Sequence, residues 1–231
     1  ERDRRSPADV GKMSRVLVTG ATGFIGGHLA SRLTAQGHDV RCLVRRTSVT
    51  VDLQQLPVEL TIGDVCDPAA LRGAVRGCDV VYHLAGKTSA RRRHELYDVN
   101  ARGAELVARA CAAQTSPPLL ILVSSLAAAG TSSGGSIQTE TKPARPVSEY
   151  GRSKLAGEQA ASAWSRQLPL SILRPGIVFG PRNREMLPIF RAIARLGVHA
   201  VVGFTPHRVS LIYQDDLLEI IARVVRQGQR V

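Results

Sequence analysis

One segment, Thr19-Gly20-Ala21-Thr22-Gly23-Phe24-Ile25-Gly26, constrains the fold of this chain more than any other. It follows an apolar run over 15–19 that predicts a buried strand, and it leads into 24–36, where Ile25, Leu29 and Leu33 recur every four residues as on one helix face. Glycines at this spacing allow a tight turn, close approach of backbone to a pyrophosphate, and close helix-to-strand packing. The helix N-terminus adds free N–H groups and a positive dipole end. The segment therefore predicts a dinucleotide site.

The form of the dinucleotide is indicated by the end of the next predicted strand, 39–44, which runs into Val44-Arg45-Arg46. NAD-binding units usually place an acidic residue here, where it accepts the ribose 2′-hydroxyl. This chain has no carboxylate at that point, and two guanidiniums are able to bind a 2′-phosphate instead. Arg45 and Arg46 are thus candidate cofactor-binding residues, and NADP is predicted as the preferred cofactor over NAD. The alternative is that both arginines are solvated loop charges.

Length and composition limit the class of protein. The 231 residues suffice for one substantial core, or for one domain with an appendage. No apolar run approaches the roughly eighteen residues of a membrane span, so neither a span nor a secretory segment is predicted and a cytoplasmic location is expected. The cysteines are scattered without a C-x-x-C pair. Buried reduced thiols are therefore predicted, and no metal site.

The net charge of +12 comes almost entirely from arginine. The arginines are spread along the chain, and the dense run 91–93 lacks the interleaved aromatic residues of a platform for single-stranded nucleic acid. Nucleic-acid binding is therefore not predicted. Either a solvated basic surface or a positive field that attracts an anionic cofactor and substrate accounts for the charge.

Segments of strand and helix type alternate after Met13, which predicts an α/β fold with a doubly wound parallel Rossmann sheet. Residues 1–13 are expected to be a disordered extension or a cloning remnant, 14–174 the dinucleotide-binding Rossmann domain, and 175–231 a small, truncated C-terminal substrate lobe with elements that return to the first domain. The polar stretch 130–147 predicts a mobile flap beside a site. The predicted strands are 15–19, 39–44, 58–62, 79–84, 119–124 and 170–174, and the predicted helices are 24–36, 68–76, 99–113, 149–167, 184–196 and 215–227.

Tyr150 and Lys154 lie four residues apart at the start of the predicted helix 149–167, so their side chains share one helix face. An ammonium near a phenol favours the phenolate, which lowers the pKa of a tyrosine from near ten and makes it a workable proton donor and acceptor. The pair follows a dinucleotide loop and a strand that ends in Ser124-Ser125. This combination predicts a catalytic site.

Further motifs follow the glycine segment in order. They are Gly63-Asp64-Val65, His83-Leu84-Ala85-Gly86, Asn100 before a helix, Val123-Ser124-Ser125, Tyr150-Gly151-Arg152-Ser153-Lys154, Arg174-Pro175-Gly176-Ile177-Val178-Phe179-Gly180-Pro181 and Asp215-Asp216-Leu217. In these motifs the chain, from Ser14 to about Gln227, resembles the extended short-chain dehydrogenase/reductase family. That family contains the NAD(P)-dependent sugar epimerases and dehydratases, the dihydroflavonol-type reductases and the 3β-hydroxysteroid dehydrogenases.

The resemblance implies roles for the matched residues. Ser125 hydrogen-bonds the substrate oxygen while Tyr150 moves its proton and a hydride passes to or from nicotinamide C4. Lys154 also binds the nicotinamide ribose. The remaining candidate cofactor-binding residues are Asp64 and Val65 at the adenine, Leu84 and Ala85 at the nicotinamide ribose, Pro175, Gly176, Ile177 and Val178 along the nicotinamide, and Gly86, Asn100 and Ser124. The alternatives are that Asp64 caps a loop, that Asn100 caps a helix, and that Ser124 only ends a strand.

The resemblance also implies an activity and an assembly. It indicates an NADP-preferring oxidoreductase of the epimerase/dehydratase type, acting on a nucleotide sugar or a hydroxy or keto compound. Family members that handle nucleotide sugars commonly carry an arginine at the position of Val209, which raises the alternative of a dihydroflavonol- or 3β-hydroxysteroid-type reductase. A non-catalytic nucleotide-sensing protein is the alternative from another class. Helices 99–113 and 149–167 match helices that pair across a two-fold axis in the family, so a homodimer is expected.

Overall fold

A six-stranded parallel sheet forms the centre of the computed structural model, which describes residues 13–131, 139–184, 186–197 and 209–227. The strand order is β3-β2-β1-β4-β5-β6, and every neighbouring pair is parallel. This order confirms the predicted doubly wound Rossmann sheet. The strands are β1 (Arg15–Thr19), β2 (Asp39–Val44), β3 (Val58–Ile62), β4 (Val80–His83), β5 (Leu119–Val123) and β6 (Leu170–Leu173).

The central strands are apolar on both faces, as helices on both sides of a parallel sheet require. In β1, Val16 and Val18 enter the hydrophobic cluster on one face and Leu17 enters the cluster on the other. In β5, Ile121 lies on the side of Val16, and Leu120 lies on the side of Leu17. Because alternate residues are buried on opposite faces, the strand register is fixed by the core.

Helices cover both faces of the sheet. Those on the first face are α1 (Phe24–Ala35) and α8 (Gln214–Gln227), and those on the second are α2 (Pro68–Val75), α4 (Gly103–Ala112) and α6 (Glu149–Ser162). On the first face Leu29 of α1 and Ile221 of α8 are buried in one cluster. On the second face Leu71 of α2 and Val107 of α4 are buried in the other.

Three predicted helices differ from those in the structure by more than two residues at one end, and the one predicted over 184–196 begins at Leu187. The helix predicted over 99–113 begins earlier, as α3 (Arg93–Tyr97), and passes through a π-helical turn (Asp98–Arg102) into α4. The helix predicted over 149–167 ends at Ser162, because turns over 163–167 carry Leu168 into the core ahead of β6. A short helix between β5 and α6, α5 (Leu126–Ala129), was not predicted.

The C-terminal part contains two elements that the sequence pattern does not predict. β7 (Ile177–Phe179) and β8 (Leu211–Tyr213) pair in parallel as a separate two-stranded sheet. Three residues are too few to show an alternating pattern, so these strands escape sequence analysis. α7 (Leu187–Leu196) lies between them in sequence, and α8 returns to the main core. The division into two domains at 174 and 175 remains a prediction, and residues 1–12 and 132–138 of the predicted extension and flap lie outside the described residues.

Candidate active site

A cleft with a volume of about 1710 Å³ opens where the strand order reverses between β1 and β4. Most of its wall comes from the segments that follow β1, β4, β5 and β6, which is where parallel α/β sheets bind their ligands. Sixteen of the predicted site residues line it: Gly20, Thr22, Gly23, Phe24, Ile25, Gly26, Leu84, Gly86, Ser124, Ser125, Tyr150, Lys154, Pro175, Gly176, Ile177 and Val178.

The glycine segment is packed too closely for side chains. Gly20 has a positive φ of 74°, and a Cβ atom there would lie 2.7 Å from the backbone nitrogen of Ala85. A Cβ atom on Gly26 would lie 2.2 Å from the carbonyl oxygen of Gly20. Gly20 therefore makes the tight turn, and Gly26 lets α1 approach the end of β1.

The N-terminus of α1 is available to an anion. Gly23 is the N-cap residue in an extended conformation, no side chain caps the helix, and its first turn holds no acidic residue. The first N–H groups of a helix have no partner within the helix and carry the positive end of its dipole. The cleft therefore begins at a turn suited to phosphate.

The two serines at the end of β5 differ in their hydrogen bonds. The Oγ of Ser125 accepts a hydrogen bond from the backbone nitrogen of Ala127 at 3.2 Å, and so caps α5. Its own hydroxyl hydrogen is still available to donate. Ser124 is buried, and its Oγ has no hydrogen-bond partner among the described residues. A buried hydroxyl without a partner at a cleft wall indicates a position for a ligand atom.

Helix α6 is held against the serine turn at its first residues. The Oγ of Ser148 accepts a hydrogen bond from the backbone nitrogen of Gly151 at 3.0 Å and starts the helix. A Cβ atom on Gly151 would lie 2.3 Å from the carbonyl oxygen of Ala127, so only glycine permits this approach. The packing brings Tyr150 and Ser125 to the same cleft.

Lys154 is a buried cation on the cleft wall. Its side chain is 7% exposed, and its Nζ donates to the carbonyl oxygen of Val123 at 2.9 Å. Burial lowers the pKa of Lys154 to about 8, an effect that the nearby carboxylate of Glu158 opposes. The amine is therefore still mostly protonated at neutral pH, and a buried ammonium attracts anionic groups that enter the cleft.

Glu158 and Arg174 form an ion pair that sequence analysis missed. Glu158 is buried, and its Oε2 accepts a hydrogen bond from Nη2 of Arg174 at 2.5 Å while its Oε1 accepts one from Nε at 2.9 Å. This fork ties α6 to the segment that begins at Pro175 and lines the cleft. Its only sequence signals are the carboxylate one turn after Lys154 and the arginine that opens the next motif.

His83 joins the loops that follow β1 and β4. Its Nδ1 lies 2.8 Å from Oγ1 of Thr19, which also accepts a hydrogen bond from the backbone nitrogen of Ala85 at 3.2 Å. Burial, with a smaller effect from Lys154, lowers the pKa of His83 to about 3. The imidazole is therefore neutral and acts as a structural connection beneath the site.

Three predicted cofactor residues do not line the cleft and make hydrogen bonds or core contacts of their own. Asp64 accepts a hydrogen bond from the backbone nitrogen of Cys66 at 2.8 Å. This is the hydrogen bond expected if Asp64 caps a loop. Val65 is buried in the core. Asn100 donates 2.9 Å hydrogen bonds to the carbonyl oxygen of Lys87 and to Oγ of Ser153, so it joins the loop after β4 to α6.

The other predicted cofactor residues outside the cleft wall are Ala85, Arg45 and Arg46. Ala85 packs against Gly20 through its backbone. Arg45 and Arg46 are exposed directly after β2. The part of this connection that lines the cleft consists of Val49 and Asp52, which sequence analysis did not single out.

The remaining predictions concern thiols, metals and membranes. Cys42, Cys78 and Cys111 are buried and Cys66 is partly exposed, and none of the four forms a disulfide. Burial raises the pKa of Cys78 to about 11, so this thiol is protonated. Within the described ranges, no three metal-ligating side chains cluster. No helix there has the length and apolar character to cross a membrane.

Comparison with known proteins shows the same fold and similar sequences. The chain is 37% identical over 201 residues to the ceramide reductase of Caulobacter vibrioides, covering 87% of this chain and 57% of that protein. It is 30% identical over 215 residues to the 2-alkyl-3-oxoalkanoate reductase of Shewanella oneidensis, covering 89% of this chain and 55% of that protein. The crystal structure of DesIV, a dTDP-glucose 4,6-dehydratase from Streptomyces venezuelae with NAD and TYD bound, matches with a TM-score of 0.81 at 25% identity, over 94% of this chain and 73% of that one.

The chain thus spans little more than half the length of the two reductases. Residues 16–231 match the family model described as the NAD dependent epimerase/dehydratase family. The parallel sheet, the glycine turn at β1 and the cleft above them agree with that match. The chain therefore belongs to the NAD-dependent epimerase/dehydratase family of the extended short-chain dehydrogenases/reductases.

Proposed function

We propose that the chain catalyses hydride transfer between NAD(P) and the carbon of a secondary alcohol or ketone, with Tyr150 as the acid/base. The observation that carries this proposal is that Ser125, Tyr150 and Lys154 line the same cleft as the glycine segment. A protein that only senses nucleotides has no use for a phenol, a hydroxyl donor and a buried ammonium together. Their joint presence favours catalysis over the non-catalytic alternative.

The cleft residues suit a nicotinamide dinucleotide. The uncapped N-terminus of α1 at Gly23 suits the pyrophosphate, and Lys154 has two further N–H groups for ribose hydroxyls. The unpartnered hydroxyl of Ser124 gains a partner when a polar ligand occupies the cleft. Such a cofactor supplies the donor or acceptor of hydride when bound.

Each catalytic side chain then has one task at the substrate oxygen. Ser125 donates its hydroxyl hydrogen to that oxygen, while its Oγ accepts the hydrogen bond from the backbone nitrogen of Ala127. Tyr150 gives its proton to the oxygen during reduction and removes the proton during oxidation. Lys154 stabilises the resulting phenolate with its positive charge, which the amine retains at neutral pH because its pKa is about 8.

Within this reaction class, the cleft favours a ketone that carries an apolar group over a nucleotide sugar. Val147 and Val209 line it and are 68% and 64% exposed, so apolar surface faces an incoming substrate. Two of the four cationic side chains on its wall are paired with carboxylates, Lys87 with Glu95 and Arg182 with an aspartate. The names of the two related reductases, for ceramide and for 2-alkyl-3-oxoalkanoates, support this choice.

A spectrophotometric screen tests the proposal. The purified chain is mixed with NADPH or NADH and with long-chain keto compounds or nucleotide sugars, and the nicotinamide absorbance is followed. The products are also separated by chromatography, because epimerisation or dehydration of a sugar returns the hydride to the substrate and leaves the absorbance unchanged. We expect oxidation of NADPH with the keto compounds. Conversion of nucleotide sugars alone overturns the apolar-ketone proposal, and no turnover with either class overturns the enzymatic one. Val209→Asp, which places a charge on the apolar wall, is expected to raise KM for the ketone.

Cofactor preference gives a prediction of its own. Arg45→Asp is expected to weaken NADP binding by roughly 1.5 to 3 kcal/mol, because a charge-assisted hydrogen bond to the 2′-phosphate is lost. The dissociation constants of NADP and NAD are measured by fluorescence titration. Arg72→Asp, which makes the same charge change at an exposed position of α2, is the control. A parent chain that prefers NADH, or a variant with unchanged affinity for NADP, contradicts the prediction.

The assembly gives another prediction. A hollow of about 380 Å³ lies beside α4, α6 and the turns that follow α6, and it is lined by residues that include Glu105, Ala160 and Trp164. We expect this surface to pair with a second copy in a homodimer. Light scattering should give a dimer mass for the parent chain and a monomer mass for Ala160→Arg, while Ala35→Arg, at the exposed end of α1, stays dimeric. A monomeric parent at micromolar concentration contradicts this.

A further inference from the structure

Two oppositely charged side chains from distant parts of the sequence meet at the cleft. Asp52 lies in the connection between β2 and β3, and Arg182 follows β7. Nη2 of Arg182 donates a hydrogen bond to Oδ2 of Asp52. Both residues line the cleft together with Thr22 and Phe24 of the glycine segment. The ion pair therefore links two separate segments of the cleft wall.

The loop around Arg182 is built to present this guanidinium. Arg182 has a φ of 70° and is the one non-glycine residue with positive φ in the described part of the chain. This conformation costs free energy and persists only where the surroundings impose it. Here Asn183 imposes it, because its Nδ2 donates to the carbonyl oxygen of Val178 at 2.8 Å and its Oδ1 accepts from the backbone nitrogen of Met186 at 3.1 Å.

The loop also contacts α1, close to the expected pyrophosphate position. Nε2 of His28 lies 3.0 Å from the carbonyl oxygen of Pro181, and the ring of His28 packs edge-on against Phe24 in the first turn of α1. Arg182 therefore stands beside the helix end where the glycine segment leaves N–H groups available.

The segment that carries Asp52 is anchored from the other side. Leu53 is 2% exposed and enters the core, and the backbone nitrogens of Leu53 and Gln54 donate to the carbonyl oxygen of Thr50 at 2.9 and 3.0 Å. The Asp52 and Arg182 side chains themselves are 63% and 51% exposed. Exposed ion pairs add little to fold stability. Because hydrogen-bonded turns hold both residues of this pair in place, we infer that the pair serves a purpose other than stability.

We propose that Asp52 and Arg182 form a clasp that closes over a bound dinucleotide and slows its release. The proposal rests on the cofactor site of the proposed function. The clasp residues are positioning residues, because the ion pair acts on the rate at which the cofactor leaves and takes no part in hydride transfer. A weak, exposed pair suits this task, since it opens readily enough for cofactor exchange.

Stopped-flow displacement of bound NADPH by excess NADP tests the clasp. Asp52→Ala and Arg182→Ala are each expected to raise the dissociation rate about 3- to 5-fold, which matches the loss of up to about 1 kcal/mol for an exposed pair. The double variant should release NADPH no faster than either single variant, and exchanging the charges (Asp52→Arg with Arg182→Asp) should restore slow release. Melting temperatures without cofactor should stay unchanged, which shows that faster release does not come from a destabilised fold.

The Arg15 and Asp39 ion pair is the matched control. It is similarly exposed, at 48% and 45%, and joins the starts of β1 and β2 at the edge of the sheet opposite the cleft. Arg15→Ala and Asp39→Ala should leave the dissociation rate unchanged. Faster release from Arg182→Ala alone shows that Arg182 holds the dinucleotide directly, and equal rates for all variants show that no clasp acts; either result overturns the proposal. A parent chain that binds no dinucleotide overturns the cofactor site itself and the clasp with it.

Discussion

Tyr150→Phe is expected to lower turnover roughly 10²- to 10⁴-fold while folding and NADP binding survive. The change removes one hydroxyl and keeps the ring. Two contacts position the start of α6, the hydrogen bond that Ser148 Oγ accepts from the backbone nitrogen of Gly151 and the packing of Gly151 against Ala127. Neither contact involves the phenol. Turnover with the ketone substrate, the dissociation constant of NADP and the melting temperature are measured together. A large loss of turnover, with the dissociation constant of NADP and the melting temperature unchanged, assigns the proton transfer to Tyr150.

Tyr97→Phe is the matched control for this experiment. The Tyr97 hydroxyl donates to Oε2 of Glu149 at 3.3 Å, next to Tyr150 in sequence, but Tyr97 does not line the cleft. Its loss should leave turnover near normal. If Tyr150 is only a structural phenol, Tyr150→Phe lowers the melting temperature and leaves turnover per folded molecule unchanged. Near-normal turnover would end the catalytic assignment.

The sheet and the glycine turn were predictable because their signals are local. Val16, Leu17 and Val18 place apolar side chains on both faces, as a central parallel strand must, and the glycines at 20, 23 and 26 follow this strand. Because Gly20 and Gly26 lack side chains, β1, α1 and the loop after β4 can pack closely together. The glycines that form the sequence motif are therefore also the residues that the packing of the fold requires.

The side-chain pairs that shape the cleft were not predictable, because each depends on the assembled fold. The fork between Glu158 and Arg174 joins a helix to the segment after the next strand, and the pair of Asp52 and Arg182 spans 130 residues. Neither spacing corresponds to a helix turn or a strand neighbour. Helix α5, which Ser125 caps, has only four small or apolar residues and shows no period.

Motif matching also leaves open how a polar side chain is used. Asn100 and Asp64 match family motifs, yet in the structure their polar atoms bond the chain itself, to Lys87 and Ser153 and to Cys66. Ser124 shows the opposite case, a buried hydroxyl left without a partner among the described residues. Such differences follow from three-dimensional neighbours, which a sequence position does not specify.

The burial of Lys154 costs the fold stability in return for a charge at the cleft. Burial lowers the pKa of its amine from 10.5 to about 8, which corresponds to roughly 3 kcal/mol of unfolding free energy lost at neutral pH. The hydrogen bond from Nζ to the carbonyl oxygen of Val123 satisfies one of the three N–H groups of the ammonium. A buried ammonium that destabilises its own fold is retained for what it does to a ligand.

Lys154→Met is therefore expected to weaken NADP binding and to lower turnover about 10²-fold or more, with no fall in melting temperature. Turnover falls because the phenolate of Tyr150 loses its neighbouring charge, and binding weakens because ribose donors are lost. Between pH 8 and 10.5 the unfolded parent keeps the lysine proton and the folded parent releases it, so parent stability rises with pH there and the variant lacks this rise. Denaturant unfolding at several pH values measures the difference, with Lys142→Met, outside the cleft wall, as the control. A variant that melts earlier than the parent at pH 7, with normal turnover per folded molecule, would show a structural lysine instead.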